Sequence, residues 1–321
     1  MPTKAEINAL ITVAVKFNTT KVWEIFESYP LCAVCLENGD EYFFTANRAD
    51  ERAILSCLVG VDGLRSYFRT LKEDAAPDAR YAQRSIDTYF ANGRRAFDGF
   101  GFGITPYEWQ GTCCLFLSLE PYYIAQSPNA WEAETLTELY TELLELLEWL
   151  CVEQPAVSAL KLETPVRYYD SSSGKWLNEV HKLKTPPEIK IIPPVDEISA
   201  VRLKRANFVN ARLELDVILD RREVRFPDEH KPYYPRTIYL ADTGHQKVLM
   251  QVPITPQQEA ASEVIAALIA FISKYGKPEI IQVQSDAVHA MLIEFCDEEQ
   301  IQLKQVSFLP TINAEVMLDS Y

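Results

Sequence analysis

Between residues 212 and 308 the apolar pattern changes period four times, and this constrains the fold more than any other feature of the chain. Residues 212–219 alternate Leu213, Leu215, Val217 and Leu219, the period-two pattern of a strand with one buried face. Residues 236–248 predict a second strand ending in Asp242-Thr-Gly244, and 248–254 its return. Residues 256–275 place Val264, Leu268, Phe271 and Ile272 on one helical face, and Gly276 stops that helix. A short apolar strand over 279–283 precedes Ser285-Asp286. A helix carrying Val288, Met291, Leu292 and Phe295 follows, then a last strand over 301–308. Hairpin-joined strands pair antiparallel and helix-joined strands run parallel, so the order predicts an α/β domain with a mixed sheet over 196–321. Asp242 and Asp286 then stand at the ends of two strands, where open α/β sheets bind ligands.

The N-terminal portion, 1–184, predicts an α+β domain. A helix over 3–17 is broken at Asn18-Thr-Thr20, and a short second helix runs through Trp23 and Phe26. Strands follow over 31–36, 41–47 and 53–59, with Asn38-Gly39 as a hairpin turn between the first two. Val61-Asp-Gly63 opens a helix that buries Leu64, Tyr67, Phe68 and Leu71, and 73–80 is a polar loop. Residues 113–124 predict a strand. Ser127 then caps a long helix with Pro128 in its first turn and Leu136, Leu139, Tyr140, Leu143, Leu146, Leu147 and Leu150 on one face. Residues 166–169 and 176–180 flank Asp170-Ser-Ser-Ser-Gly174 as a hairpin. The prolines of 185–195 mark a linker.

Charge bounds the partners. Thirty-one Lys and Arg against 46 Asp and Glu leave −15, a surface that repels phosphate backbones over roughly 8–10 Å. A protein partner is therefore expected ahead of nucleic acid. No apolar run approaches the ~20 residues of a membrane helix, and residues 1–7 lack a signal-peptide layout. A cytoplasmic protein with no membrane contact is expected, its oligomeric state open. Cys32-Ala-Val-Cys35 matches a C-x-x-C spacing, but residues three apart in an apolar strand face opposite ways. Packing is the simpler role for both, and for Cys57, Cys113, Cys114, Cys151 and Cys296.

Four groups of residues could carry chemistry. His245 and His289 each follow an aspartate by three positions, so Asp242, His245, Asp286 and His289 could form a mixed O/N metal site; turn and helix roles are the alternative. Arg65, Arg69 and Lys72 fall at helical spacing and, with Arg84 and nearby aromatic residues, could bind an anion or ligand, or simply face solvent. The loop Lys231-Pro-Tyr-Tyr-Pro235 could dock a partner or cover a sheet edge. Gly99-Phe-Gly-Phe-Gly103 lacks the following helix and lysine of a phosphate cradle. No nucleophile motif is present.

The element order of the C-terminal portion is similar to the ribonuclease H-like fold, including transposase and integrase catalytic domains. That resemblance implies two divalent metals, Mg or Mn, held by carboxylates on the first strand, at the end of the fourth and on a late helix. Asp242, Asp286 and either Glu315 or Asp319 hold comparable places, whereas the usual Asn-Gly after the second carboxylate is Ala287-Val288 here. The whole layout also resembles a family of uncharacterised two-domain bacterial proteins, both halves being domains of unknown function. That match rests on Glu41-Tyr-Phe, Val59-Gly-Val-Asp-Gly-Leu64, Leu119-Glu-Pro-Tyr122, Gly174-Lys-Trp176, Lys231-Pro-Tyr-Tyr-Pro235, Asp242-Thr-Gly244 and Gly276-Lys-Pro278. The expectation is a non-catalytic binding or interaction protein without a cofactor. The alternative is a nuclease-like metal-dependent hydrolase using Asp242 and Asp286.

Overall fold

The structure, a computed structural model, describes residues 2–20, 22–49, 52–72, 79–98, 103–158, 162–184, 186, 196–225 and 231–319. Residues 99–102 of the Gly-aromatic loop, 73–78 of the polar loop, 226–230, all of the 185–195 linker but Pro186, and the side chain of Asp319 lie outside the described residues. The chain divides into two units, Met1–Pro187 and Glu188–Tyr321. Among the described residues no helix is long and apolar enough to cross a membrane.

The N-terminal unit is built on one eight-stranded mixed sheet. Its strands are β1 (Cys32–Cys35), β2 (Glu41–Ala49), β3 (Arg52–Val59), β4 (Ser85–Ala91), β5 (Tyr107–Trp109), β6 (Thr112–Leu119), β7 (Glu163–Asp170) and β8 (Lys175–Lys182), ordered β5-β6-β4-β3-β2-β1-β7-β8. Every pairing is antiparallel except β1 with β7. One face carries α1 (Lys4–Thr19), α2 (Val22–Ser28) and α4 (Ala130–Glu153) over a core that includes Phe17, Phe44, Phe90, Phe116 and Tyr140. The other face carries two smaller clusters. Leu64 of α3 (Gly60–Thr70) packs on Phe43 and Leu58, and Phe97 packs on Leu115 and Leu117.

Several expectations move by a few residues. Asn129, not Ser127, caps α4, through a reciprocal capping box with Glu132. β6 stops at Leu119. α3 ends at Thr70, which leaves Leu71 exposed. Cys151 is exposed in the last turn of α4, off its apolar face. Cys32 and Cys35 do pack into clusters on opposite faces of the sheet. Burial pushes both thiols up, Cys35 to about 11 with Glu41 adding to it, so neither is a ready thiolate.

The C-terminal unit has β9 (Phe208–Leu219), β10 (Arg236–Asp242), β11 (Lys247–Ile254), β12 (Lys277–Val283) and β13 (Gln302–Gln305) in the order β11-β10-β9-β12-β13. β9, β10 and β11 form an antiparallel meander, while β12 runs parallel to β9 and β13 parallel to β12. α6 (Ala260–Tyr275) and α7 (Asp286–Glu298) make the two crossovers. With Leu203 of α5 (Glu197–Arg205) they bury Leu213, Leu215, Ile238, Leu240, Ile281 and Val283 on one face. α8 (Pro310–Asp319) covers the opposite face, packing Ile312 against Tyr239 and Ala241. The sheet is thus mixed and the unit α/β.

Candidate functional site

β9 is central, with antiparallel β10, the next strand in the chain, on one side and parallel β12, reached from β11 through α6, on the other. Ligands of open α/β sheets bind outside the strand carboxyl ends where the connections diverge in this way. Here that place is the carboxyl end of β9 beside the β12–α7 junction.

Alternation along β9 decides which side chains face it. Leu213, Leu215 and Val217 point to the α6 face, so Glu214 and Asp216 point to the α8 face. Both are buried, at 1% and 3% exposure. Glu214 accepts from Thr311 N–H (2.9 Å), Ile312 N–H (2.9 Å) and Thr311 Oγ1 (3.0 Å). It thereby anchors the first turn of α8, where unpaired N–H groups and the helix dipole favour a carboxylate. Asp216 Oδ2 accepts from Ser285 N–H at 3.3 Å. Ser285 caps α7. Asp286, the next residue, is exposed and accepts from Gln305 Nε2. Asp216 thus meets the residue before Asp286, while the Asp286 carboxylate is turned to Gln305 of β13.

Asp242 is elsewhere. It pairs with Leu213, so it shares the α6 face, opposite to Asp216. Asp242 sits at the level of Leu213, whereas the β12–α7 junction meets β9 at Asp216. Three residues along β9 and two strand spacings put roughly 14 Å between these points. Asp242 closes its own turn: Oδ1 accepts from Gly244 N–H (2.8 Å), and Oδ2 meets His245 Nδ1 (2.7 Å). Partial burial raises its pKa, but the His245 hydrogen bond and the turn N–H groups outweigh this and hold it below the usual carboxylate range. His289 is on α7 and half-buried. Glu315, on α8, accepts from Gln251 Nε2 of β11 at 3.1 Å. The structure thus separates Asp242 and His245 from Asp286 and His289. Among the described residues no group of three or more His, Cys, Asp or Glu converges as a metal site.

Two members of the cation group have acidic partners of their own. Arg65 pairs with Asp62 of its own helix. Arg84 is committed to the buried Glu132 at 3.6 Å and to Leu119 O at 3.3 Å. Arg69 and Lys72 are exposed, Lys72 beyond the end of α3. Tyr233 of the Lys231–Pro235 loop is 2% exposed and bridges Val224, so it is packed rather than displayed.

Glu214 and Asp216 are what the sequence reading passed over. The signal was present: a strand with one face given to Leu213, Leu215 and Val217, in a sheet covered on both sides, must bury whatever alternates with them. Residues 199–316 match the model of a family described as a domain of unknown function (DUF6930). No curated protein and no solved structure matches the chain. The C-terminal unit is thus similar to that domain over most of its length.

Proposed function

We propose that the chain is a non-catalytic binding protein whose C-terminal unit is ribonuclease H-like in layout, with its acidic centre turned to structural use. The layout rests on the strand order, numbered within the unit as 3-2-1-4-5, with an antiparallel second strand and parallel fourth and fifth. The observation that carries the non-catalytic reading is the Glu214 carboxylate. Both its oxygens are taken by α8, and a metal ligand needs those lone pairs free. Asp216 is likewise tied to Ser285 N–H, Asp286 to Gln305 and Glu315 to Gln251.

A second reading, a metal-dependent hydrolase using Mg or Mn, is favoured by one observation: Asp216 meets the β12–α7 junction at Ser285, the residue before Asp286. In that reading Asp216 takes the first-strand place that the sequence had suggested for Asp242. Two-metal chemistry needs ions ~3.5–4 Å apart held by convergent carboxylates. Calorimetric titration of Mn²⁺ decides between the two, with Asp216→Asn/Asp286→Asn as the comparison. The binding-protein reading expects no saturable heat in either protein. Saturable binding that disappears in the double variant would overturn it in favour of the hydrolase.

A further inference from the structure

Asp87 is a buried charge of the N-terminal unit with one oxygen left unpaired. It lies in the middle of β4, on the face opposite the main core, because Ile86 and Phe90 alternate with it into that core. Its relative exposure is 8%. It makes no ion pair, and its Oδ1 is buried with no hydrogen-bond partner. Ser85, two residues earlier and on the same face, is 1% exposed, with its hydroxyl beside the Asp87 carboxylate. Ser56 of β3 stands directly across the strand pair from Asp87. Burial lifts the Asp87 carboxyl to about 6, with the Ser56 and Ser85 hydroxyls only partly countering it and no cation contributing.

The surroundings define what could answer this. Leu117 of β6 pairs with Asp87 on the other side. Leu58 packs with Leu64 of α3, and Leu117 with Phe97, so the carboxylate lies between two apolar clusters. Buried polar groups left unpaired are rare and costly, and a buried carboxylate without a cation is the costliest kind. The Ser56 and Ser85 hydroxyls reach the carboxylate, but its Oδ1 is left without a donor.

We infer that Asp87, Ser85 and Ser56 form a binding site for a primary ammonium group carried on a short apolar stem. An ammonium brings three N–H donors and one positive charge. That matches one carboxylate and two hydroxyls, and Leu58, across from Ser85, and Leu117, across from Asp87, are the apolar residues a stem would meet. A divalent cation would demand six or more oxygens, more than this face offers. The net charge of −15 raises the local concentration of cations around the chain. The site lies wholly in the N-terminal unit, so it stands or falls independently of the metal question at Asp216.

The test is thermal unfolding of the full chain followed by tryptophan fluorescence, with n-butylammonium chloride against tetramethylammonium chloride at equal ionic strength. All five tryptophans, Trp23, Trp109, Trp131, Trp149 and Trp176, lie before residue 188, so the signal reports this unit. At a tenfold excess of amine over its Kd the midpoint should rise about 3–6 °C. Tetramethylammonium, which has no N–H, should leave it unmoved. Asp87→Asn should abolish the shift, and Ser85→Ala should weaken binding about tenfold. A shift shared by tetramethylammonium, a shift retained in both variants, or no shift with butylammonium overturns the proposal.

Discussion

Replacing Asp87 by Asn should stabilise the N-terminal unit at high pH and not at low pH, and the pH profile isolates the reason. The folded carboxyl is pushed up to about 6 from an ordinary value of 3.8, by burial first. Below pH ~4 the group is protonated whether the chain is folded or unfolded, and its ionisation contributes nothing. Between ~4 and ~6 the unfolded chain releases the proton first, so the folded state loses stability as pH rises. Above ~6 the full penalty is present. A shift of about 2 pK units at 1.36 kcal/mol each gives a penalty of roughly 3 kcal/mol. Asp87→Asn cannot ionise. Any cost of burying its amide is the same at every pH, so only the difference between acid and alkaline conditions carries the ionisation. Neighbouring groups do not blur this window. Tyr89 is pushed up to about 12 by burial first and Asp87 second, and burial also raises Cys57. Urea unfolding of wild type and variant at half-unit steps from pH 4 to 8, read by tryptophan fluorescence, measures the gap. The variant should gain about 2.5 kcal/mol relative to wild type across that range, the rest of the penalty being already present at pH 4. A gap that is flat with pH, or that closes as pH rises, would refute a buried, uncompensated carboxylate at this position.

Two further outcomes follow from close contacts. A Cβ at Gly63 would lie 2.6 Å from Arg84 O and 2.8 Å from the Leu58 carbonyl carbon, both backbone. Gly63→Ala should therefore lose about 1–3 kcal/mol in the same fluorescence assay, despite the better helix propensity of alanine; a neutral or stabilised variant would show that α3 is not held this tightly. Glu214→Gln removes one acceptor oxygen beneath the first turn of α8 and faces N–H donors with an NH₂ group. It should cost about 1.5–3 kcal/mol, seen as faster hydrogen exchange at Thr311 and Ile312 with the tryptophan signal unchanged.

Much of the C-terminal fold was legible because its elements are long and strictly periodic. The α6 face of Val264, Leu268, Phe271 and Ile272 and the Leu213-Leu215-Val217 alternation both stand in the structure as the pattern implies. The short motifs were legible as positions but not as causes. Gly276 has φ +105°, and a Cβ there would meet Asn207 O at 2.7 Å. Lys277, next to it, pairs with Glu299 at 2.8 Å. Gly276-Lys-Pro278 is therefore a joint between the α6 end and the start of β9. β4 was missed because Arg84, just before it, was grouped with the cations of the preceding helix, while Ile86, Thr88 and Phe90 carried the strand signal. Whether Asp242 meets Asp286 could not be read from the sequence, because the Asp of a hairpin turn and the Asp of a strand end look alike there. Only the register, with Asp242 opposite Leu213 and the β12–α7 junction at Asp216, tells them apart.

The parallel pairing of β1 with β7 sets a timetable for the chain as it is made. Ala33 finds Val166 as its neighbour, and Thr164 Oγ1 closes the same seam on Leu31 O at 2.6 Å. Roughly 130 residues must be synthesised between the two strands, which takes about 7–26 s at 5–20 residues per second. During that interval β2 through β6 can assemble beside β1 while its outer edge, built of Cys32-Ala-Val-Cys35, stays open on a nascent chain. An apolar, unpaired edge invites strands from other chains. The later arrival of β7, and of β8 outside it, replaces that hazard with the half-exposed and exposed residues of β8, so the order of synthesis leaves this edge protected only near the end of the unit.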